Sequence, residues 1–234
     1  MPLVDEMPSA FYRFCDSLPG AERIDSLESP GSGVRKADYF FRNRTVICEI
    51  KTLETETNDK LLPILREAGV SLVQGEFELT QLLKGRSDAD VLYWKCINAI
   101  TSGVKQGMDT ANRQIRDTKK AFGISEADGL WIVLHPKVHV LNPDVILTRI
   151  RRRLNKRNGT GPAYDQITWI VLFSEIHKLK LQDGTLLSAI IPVQNAEVLE
   201  RTAGSSVVDE LIDGWARWNG RPNLTVHASE LART

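Results

Sequence analysis

The sequence predicts an α/β domain with a mixed central sheet flanked by helices. Three observations carry that prediction. The runs "GLWIVL" (129–134) and "ITWIVLF" (167–173) are apolar without alternation, as in strands covered on both faces. Between them lies the helical stretch "NPDVILTRIRRRLNKR" (142–157), and strand, helix, strand at this spacing is a parallel crossover unit. Upstream, "ADYFFRNRTVICEIK" (37–51) reads as two short antiparallel strands around a polar, basic tip.

The remaining elements follow in order. Residues 8–18 predict a first helix: Pro8 suits an initial turn, and Phe11, Cys15 and Leu18 recur at helical spacing. Residues 19–33 are turn-rich through "ESPGSG", and the hairpin follows. "KLLPILREAG" predicts a short helix ending at Gly69, and "EFELTQLLKG" another. From Asp90 to Phe122 apolar residues keep a helical period with a gap near Thr101. Gly103 and Gly107 weaken the run, so two helices with a bend are expected. "LQDGTLLSAIIPV" predicts a hairpin turning at Asp183-Gly184, and residues 195–218 a final helix. The 234 residues are expected to form one domain (1–234) with a helical insertion around 54–95.

Composition narrows the function classes. Formal net charge is zero, so affinity for a polyanion must come from a local patch. Cys15, Cys48 and Cys96 are too sparse and too widely spaced for a disulfide framework or a zinc motif, and free thiols suit a reducing compartment. The N-terminal stretch lacks the basic segment and apolar run of a secretion signal, and no apolar run is long enough to cross a membrane. A cytoplasmic protein without membrane association is the expectation.

The hairpin carries the chemistry. A two-residue turn at Asn43-Arg44 makes cross-strand partners sum to 87, so Phe40 faces Ile47 and Asp38 faces Glu49. Opposed residues have Cβ atoms about 5 Å apart, and like charges so placed are destabilising. Lys51, two residues past Glu49, projects to the same face. Phe40 and Ile47 share that face, whereas Tyr39, Phe41, Val46, Cys48 and Ile50 take the other. Both faces are therefore apolar, and burying two acids there is costly unless a cation lies between them. Two carboxylates, a main-chain carbonyl and waters make an oxygen-rich site of the kind magnesium accepts.

Asp38, Glu49 and Lys51, in the segments "AD" (37–38) and "EIK" (49–51), resemble the motif of the PD-(D/E)XK, or restriction-endonuclease-like, nuclease superfamily, with Ala37 in place of the proline. The order of elements is similar too: a helix, a three-strand meander carrying the motif, a helix, then a strand. The resemblance implies a restriction-endonuclease-like core and a magnesium-dependent deoxyribonuclease, with manganese as a substitute metal. Asp38, Glu49 and the main-chain carbonyl of Ile50 would hold the metal, and Lys51 would assist the attacking water. Many such enzymes add a glutamine from the helix after the third strand, for which Gln114 is the candidate. One branch follows that glutamine with tyrosine four residues on, where this chain has Thr118. Some add a glutamate from the first helix, but Glu6 precedes that helix and Glu22 follows it. DNA is the implied partner, and dimerisation, common in such enzymes, would give two sites for two strands.

Other residues have blander explanations beside a functional one. Arg113 and Lys120, with Arg116 and Lys119, and the run Arg151, Arg152 and Arg153 could contact phosphates or form wet helix faces. His135 and His139 have helical metal-pair spacing in strand-like surroundings that do not suit it. Ser174, Glu175 and His177 are too crowded in sequence to imply a catalytic triad. "GSG" (31–33) and "GTG" (159–161) read as turns, not phosphate loops. A non-catalytic nucleic-acid-binding or assembly protein of the same fold is the alternative function, and a structural protein whose acids pair locally is a third.

Overall fold

The computed structural model describes residues 7–27, 35–53, 58–70, 79–136, 142–180 and 186–220. In chain order the elements begin with α1 (Met7–Ser17), β1 (Glu22–Arg23), β2 (Tyr39–Phe41), β3 (Val46–Thr52), α2 (Asn58–Glu67) and α3 (Leu79–Leu82). They continue with α4 (Ala89–Ile100), α5 (Ser102–Phe122), β4 (Asp128–His135), α6 (Pro143–Leu154), β5 (Arg157–Asn158) and β6 (Gly161–Pro162). The last are β7 (Trp169–Lys180), β8 (Leu186–Gln194) and α7 (Gly204–Trp218). Six strands form one mixed sheet in the order β1-β2-β3-β4-β7-β8. The meander β1-β2-β3 is antiparallel, β3, β4 and β7 run parallel, and β8 returns antiparallel. The parallel pair β4 and β7 is bridged by α6, as the sequence requires.

Alternation along the strands sorts the core into two layers. Phe40, Ile47, Trp131, Val133, Ile170 and Leu172 pack with buried residues of α2, α4, α5 and α6. Tyr39, Phe41, Val46, Cys48, Ile50, Leu130, Ile132, Leu134, Val171 and Phe173 pack under α1 and α7. On that second side Phe11, Phe173 and Trp215 form an aromatic cluster with ring centroids 4.9 to 6.5 Å apart.

The hairpin register follows the turn. Tyr39, Phe40 and Phe41 pair with Cys48, Ile47 and Val46. Arg42, Asn43 and Arg44 have φ of 50°, 53° and 66°, three successive left-handed residues, and the Thr45 amide donates to the Arg42 carbonyl (3.2 Å) to close the turn. Ion pairs from Arg42 to Glu210 (3.0 Å) and from Arg44 to Glu22 (2.8 Å) fasten this tip.

Several elements differ from expectation. Two strand residues, Glu22 and Arg23, lie in the stretch read as turns and extend the sheet past β2. As expected, the 90–122 run is two helices, broken at Thr101, whose hydroxyl donates to the Ile97 carbonyl. Gly107 has a packing reason: a Cβ there would come 3.0 Å from the Trp131 ring. The last helix begins at Gly204 and not at 195. There the buried Asp128 carboxylate accepts from the amides of Arg201, Thr202 and Gly204 and from the Thr202 hydroxyl, holding the preceding segment in a turn. Gly159, in "GTG", has φ of 60° in the turn of the β5–β6 hairpin. The expected Asp183-Gly184 turn, "GSG", Glu6 and His139 lie outside the described residues, as does part of the 54–95 segment, which includes α2, α3 and most of α4. No described helix is long and apolar enough to cross a membrane.

Burial alone would raise the Asp128 pKa, but its hydrogen bonds outweigh burial and hold it below the ordinary carboxylate range. Asp128→Ala is expected to cost ~2–4 kcal/mol in chemical denaturation at neutral pH. A group with a depressed folded pKa stabilises above its unfolded pKa, so the gap between wild type and variant should close as pH falls through the acid range.

Candidate active site

The site forms where β2 starts late. Beyond the Tyr39–Cys48 pair the ladder slips: the Asp38 amide donates to the Cys48 carbonyl (3.0 Å), one residue out of the register extrapolated from the turn. In place of a backbone partner, the Asp38 carboxylate accepts from the Ile50 amide (2.7 Å). The carbonyl and amide of a strand residue project to the same side, so the Ile50 carbonyl faces the gap beside Asp38. Asp38, Glu49, Lys51 and the Ile50 carbonyl therefore meet at one rim, although Asp38 and Glu49 are not strict cross-strand partners.

Glu49 is wholly buried. Lys51 Nζ forms an ion pair with its Oε1, and the Lys51 side chain stays 35% exposed. Neither carboxylate oxygen accepts a hydrogen bond of ordinary geometry among the described residues. Burial, then the neighbouring Asp38 charge, pushes the Glu49 pKa from 4.5 to about 8, with Lys51 opposing. Asp38 is raised too, mainly by burial, against the Ile50 amide and Lys51. Two acids held this way prefer a proton or a cation to bare charge. Trp131, the register partner of Glu49 on β4, is fully buried on the same face, and its indole Nε1 lacks a hydrogen-bond partner among the described residues.

Helix α5 positions Asp38. Gln114 Nε2 donates to the Lys36 carbonyl (2.6 Å), and Thr118 Oγ1 accepts from the Ala37 amide (2.9 Å). These side chains, one turn apart, clamp the two residues before Asp38. Gln114 thus acts on the site through the backbone, and Thr118, marked in the sequence only as a departure from the tyrosine pattern, shares the task. From α1, Tyr12 stacks on Tyr39 (centroids 6.1 Å apart), and burial and the charges of Asp38 and Glu49 raise its pKa. No periodicity marked Tyr12 as a neighbour of the acids.

The basic residues divide. Arg113 and Lys120 are exposed on α5 and Arg151 on α6. Arg152 lies over the Trp94 ring (4.8 Å), and Arg149 donates to Asn98 (2.7 Å). Arg153 is only 12% exposed, ion-paired to Asp109 (2.8 Å) and bonded to the Tyr164 hydroxyl. Arg153 is thus a tie between α6 and α5 and does not belong to an open basic face, because the α6–α5 contact needs its charge to neutralise Asp109.

His135 and Ser174, register partners on β4 and β7, meet through Nδ1 and Oγ (3.1 Å). His177 stacks on His135 (5.5 Å, 16° between planes). No group of three or more His, Cys, Asp or Glu among the described residues is arranged to hold a metal by side chains alone. The oxygens that could serve a hard cation are those of Asp38 and Glu49 with the Ile50 carbonyl. No protein-family model matches the chain, and neither curated proteins nor solved structures give a match.

Two outcomes are expected. In chelator, folded Glu49 binds its proton more tightly than the unfolded chain does, so folding takes up a proton between pH 4.5 and about 8. Thermal unfolding temperature should fall as pH rises through that window, and Glu49→Gln should flatten the fall. Gln114→Ala should leave the fold intact and shift Asp38, lowering any activity of the site about tenfold, the worth of one lost hydrogen bond.

Proposed function

We propose that the protein is a metal-dependent nuclease that hydrolyses phosphodiester bonds of DNA. The observation that carries this reading is the fully buried Glu49 carboxylate, held against a second acid, Asp38, with the partly exposed Lys51 as its ion-pair partner, where β2 begins. A structural ion pair would not need a second acid, since an unneutralised buried acid costs several kcal/mol. Strongly perturbed acids where the β2–β3 ladder breaks favour function over packing. The resemblance of Asp38, Glu49 and Lys51 to the PD-(D/E)XK motif points the same way, and the meander followed by a parallel strand suits a restriction-endonuclease-like core.

Asp38, Glu49 and the Ile50 carbonyl would hold magnesium or manganese. When bound, such an ion polarises a phosphate oxygen and acidifies water. The protein's own groups do the rest. The Ile50 amide fixes the Asp38 carboxylate through Oδ2. Lys51, half-exposed on a flexible stem, is released from Glu49 once another charge neutralises that acid. Its ammonium then faces solvent, where it can hold the attacking water or stabilise charge developing on the phosphate. Exposed Arg113, Lys120 and Arg151 offer contacts to a DNA backbone.

The test is incubation of supercoiled plasmid, linear duplex, single strands and branched junctions with the purified protein and manganese or magnesium. Wild type should cut at least one substrate. Asp38→Ala, Glu49→Ala and Lys51→Ala should each lose about 10²-fold or more while remaining folded. Cutting by Asp38→Ala or Glu49→Ala at the wild-type rate would refute the assignment. Retention on DNA without cleavage would favour the non-catalytic alternative.

A further inference from the structure

Tyr12 packs in the α1 layer, opposite the one that Glu49 and Lys51 share with Ile47. Its side chain nevertheless leads back to the acids. Tyr39 points from β2 to α1, where its hydroxyl lies 3.2 Å from the Tyr12 carbonyl and 2.8 Å from Asp16 Oδ1. The Tyr12 side chain starts beside that contact and stacks on the Tyr39 ring, with centroids 6.1 Å apart and 30° between planes. It therefore runs along Tyr39 in the reverse direction, from α1 toward the β2 main chain. Phe41, two residues on, stacks on Tyr39 from the side of the hairpin tip (5.9 Å, 13°), which leaves Tyr12 the side toward Asp38. The Arg23 guanidinium lies 5.7 Å from both tyrosine ring centres and donates to the Tyr39 hydroxyl (3.0 Å).

The Asp38 carboxylate replaces a ladder partner by accepting from the Ile50 amide. Ladder bonds lie in the plane of the sheet, so this carboxylate borders both layers. The half-buried Tyr12 phenol responds to it: burial, then the Asp38 and Glu49 charges, raise its pKa and keep it a protonated donor. That donor is unused. Nothing bonds the Tyr12 hydroxyl among the described residues, and it is not one of the polar atoms sealed from solvent. Tyrosine hydroxyls held at a partly buried site ordinarily find a partner.

We propose that the Tyr12 hydroxyl donates a hydrogen bond to a phosphate oxygen of a phosphodiester bound at Asp38, Glu49 and Lys51. The inference rests on the nuclease reading of that site. A phosphate there brings negative charge toward two carboxylates, and a neutral donor offsets part of it without competing for the acids as a second ammonium would. Lys51 approaches from the α5 layer and Tyr12 from the α1 layer, so the phosphate is held from both sides of the sheet plane. Stacking on Tyr39 orders the ring before substrate arrives, which lowers the cost of the contact. Tyr39 and Arg23 are positioning residues.

The experiment uses Tyr12→Phe, which keeps a ring on Tyr39 and removes only the hydroxyl. Steady-state cleavage of a DNA substrate is measured from about pH 6 to about 9 and over a range of manganese concentrations, with thermal unfolding beside it. The variant should unfold at the wild-type temperature, because the lost hydroxyl bonds nothing in the described protein. Its kcat/KM should fall about ten- to a hundredfold, as loss of one hydrogen bond to a charged group predicts, by the same factor at each pH and with the same manganese dependence. Wild-type kcat/KM in the variant overturns the contact. A lowered unfolding temperature overturns it too, by showing the hydroxyl bonded within the protein. So does a loss that vanishes at saturating manganese, which puts the hydroxyl on the ion's water, or one whose size changes with pH, which makes it a titrating group. Wild type that cuts DNA beside an unaffected variant sinks only this inference, whereas wild type that cuts no DNA in manganese or magnesium sinks the nuclease reading with it.

Discussion

A carboxylate sealed inside a sheet next to a second carboxylate is the constraint on which the rest of the site depends. Glu49 sits in the middle of β3 with no exposed surface, and Asp38 is beside it. Ordinary packing would place an aliphatic residue there. Among the described residues the nearby cation is the Lys51 ammonium, which pairs with Glu49 Oε1 while its side chain stays partly in water. The acid pair is thus undercompensated, and its energy falls when a proton or a metal ion arrives. On the proposed function, that instability is what would draw a cation to the site and let the lysine change partners.

The scaffold creates and limits this instability through backbone choices. β2 begins two residues short of the register partner of Ile50, so a side chain takes over from a main-chain partner, and the Ile50 carbonyl faces the gap. The late start is enforced from outside the sheet, where Gln114 and Thr118 hold the main chain at Lys36 and Ala37. At the start of β4, Asp128 uses its carboxylate in the reverse sense, saturated by amides and ionised. Two buried acids of the parallel strands thus have opposite proton affinities, because one is surrounded by donors and the other lies beside an acid. The saturated one stabilises the fold, and the starved one is the acid on which the proposed chemistry rests.

The basic helix α6 shows why charge counts alone say little about binding. Its arginines share a short stretch, yet they serve different ends. Arg153 neutralises Asp109 on α5, Arg152 covers the Trp94 ring and Arg149 bonds Asn98 on α4. Only a neighbour's identity separates these from exposed Arg151, and that neighbour comes from helices some forty or more residues away in the chain.

Local physics settled the hairpin. The period of two, the Asn43-Arg44 turn and the apolar residues on both faces determined the register and put Glu49 and Lys51 on the layer of Phe40 and Ile47. The same reasoning gave the parallel crossover and the break at Thr101, because each rests on contacts or propensities within one or two elements. Tertiary packing decided the rest. The reach of Gln114 to Lys36 and of Thr118 to Ala37 spans 78 and 81 residues. The pairing of His135 with Ser174 spans 39 and depends on which strand neighbours β4. Gly107 looked like a weak point in a helix until Trp131 filled the space above it, and α7 begins where Asp128 on another strand lets it. Sequence periodicity reports which face a residue occupies. It carries no information on which distant element supplies the partner, since that follows from sheet order and helix packing.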